Sequence, residues 1–207
     1  MLPDGSVKYF QPFHISVEGL EKCVLYRDAE DYDTMVKIIC IAALRKNVIV
    51  IIYAVVSNHC HVAVLATSQK DADDYGKELK RIYAMWFRKK YCVEGIMKDV
   101  DVKAICLEND WYVRNALAYI PRNALDNGCN VNDYPWSGYS AMFSPVQLLG
   151  PASRKVSDLT KRERLAIMHT GDTLDNVDWK IDQHNSLIPR SFCDYKYLEQ
   201  AFENSQS

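Results

Sequence analysis

Long apolar runs are missing from this 207-residue chain. The longest, Val48 to Val56, is strand-sized and far short of the roughly 20 residues that span a bilayer. The opening MLPDGSVKYF has neither the basic cluster nor the apolar stretch of a secretory signal. Glycine and proline are scarce, at 8 and 7 residues, which excludes collagen-like and low-complexity classes. There is no CxxC pair. The seven Cys are scattered, most lie among apolar neighbours, and reduced thiols in a cytoplasmic protein are the expectation. An excess of basic charge is also missing: 25 Lys and Arg stand against 27 Asp and Glu. Bulk electrostatics therefore do not make this chain a coat for a polyanion, and any such surface must be local. No Gly-rich phosphate loop is present. The apolar share of 48% is that of a globular chain and excludes disorder as the overall state. The length suits one domain with an extension.

Alternating apolar residues predict a strand over 7–17, near an edge because of Pro12. A loop from Glu18 to Asp28 is expected to return through a short strand, Cys23 to Tyr26. Tyr32, Met35, Val36, Ile39, Ala42 and Ala43 recur at helical spacing after Asp31. Val48 to Val56 predicts a strand buried on both faces. Ser57-Asn58 is a turn into a second strand, His59 to Leu65. Asp71 to Lys90 predicts a long helix with a stripe of Tyr75, Leu79, Ile82, Met85 and Trp86. Met97 to Leu107 predicts a fourth strand, and a helix follows from about Trp111 to Asn127-Gly128. The aromatic turn Tyr134 to Tyr139 is expected to pack back on the sheet. A linker, Pro145 to Ser157, and two short helices, Thr160 to His169 and Asp194 to Asn204, complete the chain. This order predicts an α+β, ferredoxin-like split βαβ antiparallel sheet with an added helix. Residues 1–143 would form the main domain, and 144–207 a linker and helical C-terminal extension.

The segment Asn58-His59-Cys60-His61-Val62 carries the chemistry. On a strand, Cys60, Val62 and Val64 share one face and His59 and His61 the other, about 7 Å apart at the backbone. Two neutral imidazoles at that spacing can converge on one divalent ion. The plainer alternative is a pair of polar residues on a solvated strand face. The other histidines, His14, His169 and His184, form no pattern with this pair in the sequence.

An apolar strand, a short turn with Asn and a His-apolar-His strand together resemble the HUH motif of single-tyrosine transposases. Phe13-His14-Ile15-Ser16 with Gly19 resembles that family's first strand and loop. Lys80-Arg81-Ile-Tyr83-Ala-Met-Trp-Phe87 resembles its basic helix. Leu117-Ala-Tyr119-Ile120-Pro-Arg-Asn123 resembles its tyrosine helix. Tyr134-Pro-Trp136-Ser137-Gly-Tyr139 resembles a signature of the branch called REP-associated tyrosine transposases. The resemblance spans roughly residues 7 to 143. It implies that Tyr119 is the nucleophile, that His59, His61 and Asn123 hold Mg²⁺ or Mn²⁺, and that a 5′-phosphotyrosine forms on single-stranded or hairpin DNA. Pro121 stands between Tyr119 and Asn123, where it biases the helix toward a kink.

The expected DNA surface is the basic helix, through Lys77, Lys80, Arg81, Arg88, Lys89 and Lys90, since Lys and Arg neutralise phosphates. The activity implied is that of a metal-dependent DNA nicking and strand-transfer enzyme, monomeric in preference to dimeric. A hairpin-binding protein that no longer transposes, or a metal- or RNA-binding ferredoxin-like module without a nucleophile, are the alternatives. A covalent adduct at Tyr119 separates the first from both.

Overall fold

The structure is a computed structural model that describes residues 9–19, 24–126, 128–139 and 151–203. The start of the first strand at 7–8, Cys23, Asn127, Asn204 and the expected linker up to residue 150 lie outside the described residues. Four strands, β1 (Gln11–Glu18), β2 (Ile49–Val56), β3 (His59–Ala66) and β4 (Asp101–Cys106), form one sheet in the order β2-β3-β1-β4. Every neighbouring pair is antiparallel. With α1 (Ala29–Lys46) joining β1 to β2 and α2 (Gln69–Tyr91) joining β3 to β4, the expected ferredoxin-like topology is formed.

Local chemistry sets the helix ends. Asp28 caps α1 by accepting from the Asp31 N–H, and Ser68 caps α2 by accepting from the Asp71 N–H, each satisfying an amide that lacks a partner in the helix. Asn47 and Cys92 close the two helices in the left-handed conformation. Gly76 lets α2 lie directly on the sheet: a Cβ there would come within 2.6 Å of Val102 Cγ1.

The sheet has two unlike faces. Phe13, Ile15, Val17, Cys60, Val62, Val64, Tyr53 and Val55 point to one side and are buried with α1 and α2 in the main core. The stripe α2 buries there is Ala72, Tyr75, Leu79, Tyr83 and Phe87. Met85, expected in that stripe, is 61% exposed, because Tyr83 and Phe87 continue the four-residue spacing from Leu79. The opposite face carries α3 (Asp110–Asp126). Its Val113, Ala116, Leu117 and Ile120 cover Ile52, Ala54 and Ala63, so only the β2–β3 half of that face lies under a helix.

Two expected strands differ. Val24 to Tyr26 is not a strand: the Leu25 and Tyr26 amides both donate to the Ser57 carbonyl, in a loop tied to the β2–β3 turn. The fourth strand begins at Asp101 rather than Met97, since the preceding residues turn. Met97 and Val100 are buried within that turn, which gives it an apolar content that resembles a strand. The aromatic turn does pack back on the sheet. Tyr134 Oη donates to the Val55 carbonyl at 2.6 Å, the Val55 amide donates to Trp136 O at 3.0 Å, and Trp136 stacks on Tyr32. The free edge of β2 is thereby covered.

Beyond it lie a two-stranded ribbon, β5 (Arg154–Lys155) with β6 (Lys180–Ile181), and the helices α4 (Lys161–Ile167) and α5 (Tyr195–Glu203). Val156, Leu159, Met168, Leu174 and Ile181 join the main core, while Leu198 joins the α3 side. This segment wraps the β2 edge and touches both layers.

Candidate active site

The register places the candidate residues. Across β1, Ser16 faces His61 and Glu18 faces His59. On the other side of β1, His14 faces Ile105 and Ser16 faces Lys103. Directly opposed residues share a face, so His59, His61, His14, Ser16, Lys103 and Ile105 all lie on the α3 side. The helix α3 starts behind Asn109, whose side chain accepts from the Tyr112 amide, and runs without a break through Pro121 to Asp126. It brings Tyr119 and Asn123 over the histidines. The solvated-strand alternative is not what forms: His61 is only 4% exposed, because α3 covers it.

His59, His61, Tyr119 and Asn123 come together in one cluster. His59 Nε2 is 3.1 Å from Asn123 Oδ1, and His59 Nδ1 is 2.7 Å from Asn58 Oδ1. The His59 and His61 rings are 4.9 Å apart, edge to face. The Tyr119 ring stands edge-on to His61 at 5.4 Å, with 46% of the residue exposed. Asn123 is buried, and its Nδ2 donates to the Tyr119 and Ile120 carbonyls, both at 3.1 Å. Those two bonds turn its Oδ1 toward His59.

His14 was not legible as part of this group. Its Nε2 lies 3.0 Å from His61 Nδ1, and its ring is 6.1 Å from Tyr119. A polar pair at His14 and Ser16, alternating with apolar Phe13 and Ile15, was the available signal. Burial pushes the His61 pKa down to about 3, with His14 and His59 adding to the shift. Burial also lowers His14, against a smaller upward pull from Glu18. Both imidazoles are therefore neutral at physiological pH, the form that ligates metals.

The donor set fits a divalent cation. His59 presents Nδ1 to Asn58 Oδ1 and Nε2 to Asn123 Oδ1, and an imidazole nitrogen and an amide oxygen side by side are groups that can ligate one ion. Among the described residues no group of three or more His, Cys, Asp or Glu side chains is arranged to hold a metal, so the candidate set is two imidazoles and an amide oxygen.

The six basic residues of α2 are not brought to this cluster. They lie on the helix that packs against the opposite face of the sheet. Lys90 Nζ is held by Asp28 at 2.7 Å, Asp31 at 2.9 Å and Glu30 at 3.0 Å. Arg81 pairs with Glu78, Arg88 with Glu94, and Lys77 reaches Asp74 at 4.0 Å. Lys80 Nζ donates to the Val100 carbonyl, while Lys89 has no ion-pair partner among the described residues. The sequence displays this charge density and the nearby Asp74, Glu78 and Glu94, but not the three carboxylates that meet Lys90 from the start of α1. Nearer the cluster are Lys103, which pairs with Asp101 and Glu18, and the exposed Arg122 on α3.

No protein-family model matches the chain, and no curated protein sequence does. A solved structure does: a REP-associated tyrosine transposase bound to a REP hairpin. The similarity has a TM-score of 0.51 at 15% identity and covers 66% of this chain and 83% of that one. The fold expected from the sequence is thus one that a tyrosine transposase also adopts. No helix among the described residues is long and apolar enough to cross a membrane.

Proposed function

We propose that this protein is a metal-dependent enzyme that nicks single-stranded or hairpin DNA and transfers the strand, with Tyr119 as the nucleophile. The observation that carries the reading is the convergence of Tyr119 with His59, His61 and Asn123 over one half of the sheet. Fold likeness to a tyrosine transposase bound to hairpin DNA supports it.

Mg²⁺ or Mn²⁺ bound by His59, His61 and Asn123 would polarise the scissile phosphate and offset charge on its oxygens. The chain's own part is to present the Tyr119 hydroxyl to the phosphorus. The phenol oxygen bonds to phosphorus, the bond from phosphorus to the 3′ oxygen breaks, and the phenol proton is balanced by protonation of that leaving oxygen. The products are a 5′-phosphotyrosine and a free 3′-hydroxyl. The phosphodiester energy is kept for rejoining, so no nucleotide triphosphate is needed. Ala118 and Tyr119 face outward from α3, which leaves the hydroxyl accessible to a strand. The strand reaches it across the uncovered β1–β4 half of the sheet face, past Ile105 and Lys103. All four side chains belong to one chain, so the site needs no second copy to be complete, in keeping with a monomer.

The test is incubation with labelled hairpin oligonucleotides and Mg²⁺ or Mn²⁺, followed by denaturing electrophoresis. A covalent protein–DNA band in the wild type that disappears in Tyr119→Phe is the expected result. Cleavage without any adduct would overturn the reading.

A further inference from the structure

His14 stands outside the set that motif spacing picks out, yet it makes the one side-chain hydrogen bond that His61 has among the described residues, at 3.0 Å from His14 Nε2 to His61 Nδ1. A neutral imidazole carries a single proton, so this contact has two possible arrangements. In one, His14 Nε2–H donates to His61 Nδ1, and the His61 proton then sits on Nε2. Nε2 could then not ligate a cation. In the other, His61 Nδ1–H donates to His14 Nε2, and His61 Nε2 keeps its lone pair. With Nδ1 taken up by His14, Nε2 is the nitrogen of His61 that can ligate the cation, and only the second arrangement leaves it the lone pair to do so.

His59 is anchored in the same sense. When its Nε2 ligates the cation, its proton lies on Nδ1, 2.7 Å from Asn58 Oδ1, an oxygen that accepts it. Its anchor comes from the turn before β3, whereas the anchor of His61 comes from the neighbouring strand β1. Each imidazole thus has a partner at Nδ1, which leaves Nε2 as the ligating nitrogen, and that of His59 lies 3.1 Å from Asn123 Oδ1.

We propose that His14 is a positioning residue, which accepts the Nδ1 proton of His61 and so holds His61 Nε2 unprotonated and aimed at the cation site. This rests on the metal-dependent reading above and deepens it. The ring of His14 also lies edge-on to Tyr119 at 6.1 Å, so the same side chain packs beside both the metal-site imidazole and the nucleophile. An acceptor behind a ligating histidine commonly sets metal affinity by about 10- to 100-fold.

Two measurements on the full chain test this without cleavage. Long-range ¹H–¹⁵N correlation spectra of the metal-free, DNA-free protein report the tautomer of each histidine, and His61 is expected as Nδ1–H. Titration with Mn²⁺ followed by electron paramagnetic resonance is expected to show a 10- to 100-fold weaker Kd in His14→Phe. His14→Gln, whose Oε1 can take the place of Nε2, is expected to recover most of that loss, which a merely space-filling role for His14 would not give. An Nε2–H tautomer of His61 in the wild type overturns the proposal, and so does unchanged Mn²⁺ affinity in a folded His14→Phe. If His14→Phe fails to fold, the wild-type tautomer and the His14→Gln affinity still decide it. A wild type that binds no Mn²⁺ would overturn the metal-dependent reading itself. Binding that is indifferent to residue 14 would overturn only the role of His14.

Discussion

The two faces of the sheet are built from the same strands but are finished differently. On the α1–α2 face every buried residue of β1 and β3 is apolar and both helices lie across it, so the surface is used up in packing. On the α3 face α3, joined by Leu198 of α5, covers β2 and β3 and leaves β1 and β4 uncovered, and the line where cover stops is where the histidines stand. The same strand alternation that makes Cys60 and Val62 core makes His59 and His61 available for chemistry. A dry face gives stability, while a half-covered one leaves His61 and His14 with pKa values lowered by burial beside an open path.

The sharpest way to break this comparison is to change one residue on each face. Ile15→Ala, on the fully buried side, should cost about 3 kcal/mol of unfolding free energy by denaturant titration. His59→Ala should cost only about 1 kcal/mol, the scale of a lost hydrogen bond, yet reduce hairpin cleavage below detection. Equal stability losses would show that the two faces are not divided this way.

Lys90 and Lys77, both on α2, come next. Lys90→Ala would leave Asp31, which is fully buried, without its cation, and should cost about 2–3 kcal/mol. Lys77→Ala should stay within about 0.5 kcal/mol. A small effect at Lys90 would mean that its three carboxylates are not its main partners.

The faces also differ in what they should do to DNA affinity. Lys103→Ala with Arg122→Ala should lower the slope of log affinity against log salt by about 1 to 2. Replacing Arg81 and Arg88, already paired with Glu78 and Glu94, should change it less. The reverse ranking would place the DNA across α2, as the basic density of that helix suggests when read alone.

The smallest effect is a pH dependence on the packed face. Arg81 and Arg45 hold the Glu78 carboxyl down to about 2 from its ordinary 4.5, against the opposing effect of burial. A depressed folded-state pKa stabilises above the unfolded value and is lost as pH falls through the folded one. Glu78 should therefore contribute to a decline in melting temperature between about pH 4.5 and about pH 2. Glu78→Gln should flatten that decline slightly, and an identical profile would count against the pairing.

Much of this was legible in the chain, and the misses have physical causes. Alternation put His59 and His61 on one face opposite Cys60, and four-residue spacing put Asn123 one turn beyond Tyr119. Neither depends on distant contacts. His14 was missed because its partner is set by the β1–β3 register, which a single sequence does not print. That the histidine face is covered depends on where α3 docks, and the tie between Lys90 and Asp31 depends on α1 and α2 lying side by side. Met97 and Val100 made a turn look like strand because burial, rather than extended backbone, selects their apolar side chains.

The account stands on Tyr119 acting at the histidine cluster. The most direct measurement is mass spectrometry of the wild-type protein trapped on a hairpin oligonucleotide in the presence of Mn²⁺, after protease and nuclease digestion. The account predicts a single peptide carrying a 5′-nucleotide on Tyr119, absent from Tyr119→Phe, which should still bind the hairpin with nearly unchanged affinity. An adduct on Tyr112 or Tyr139, or cleavage by Tyr119→Phe at the wild-type rate, would contradict it.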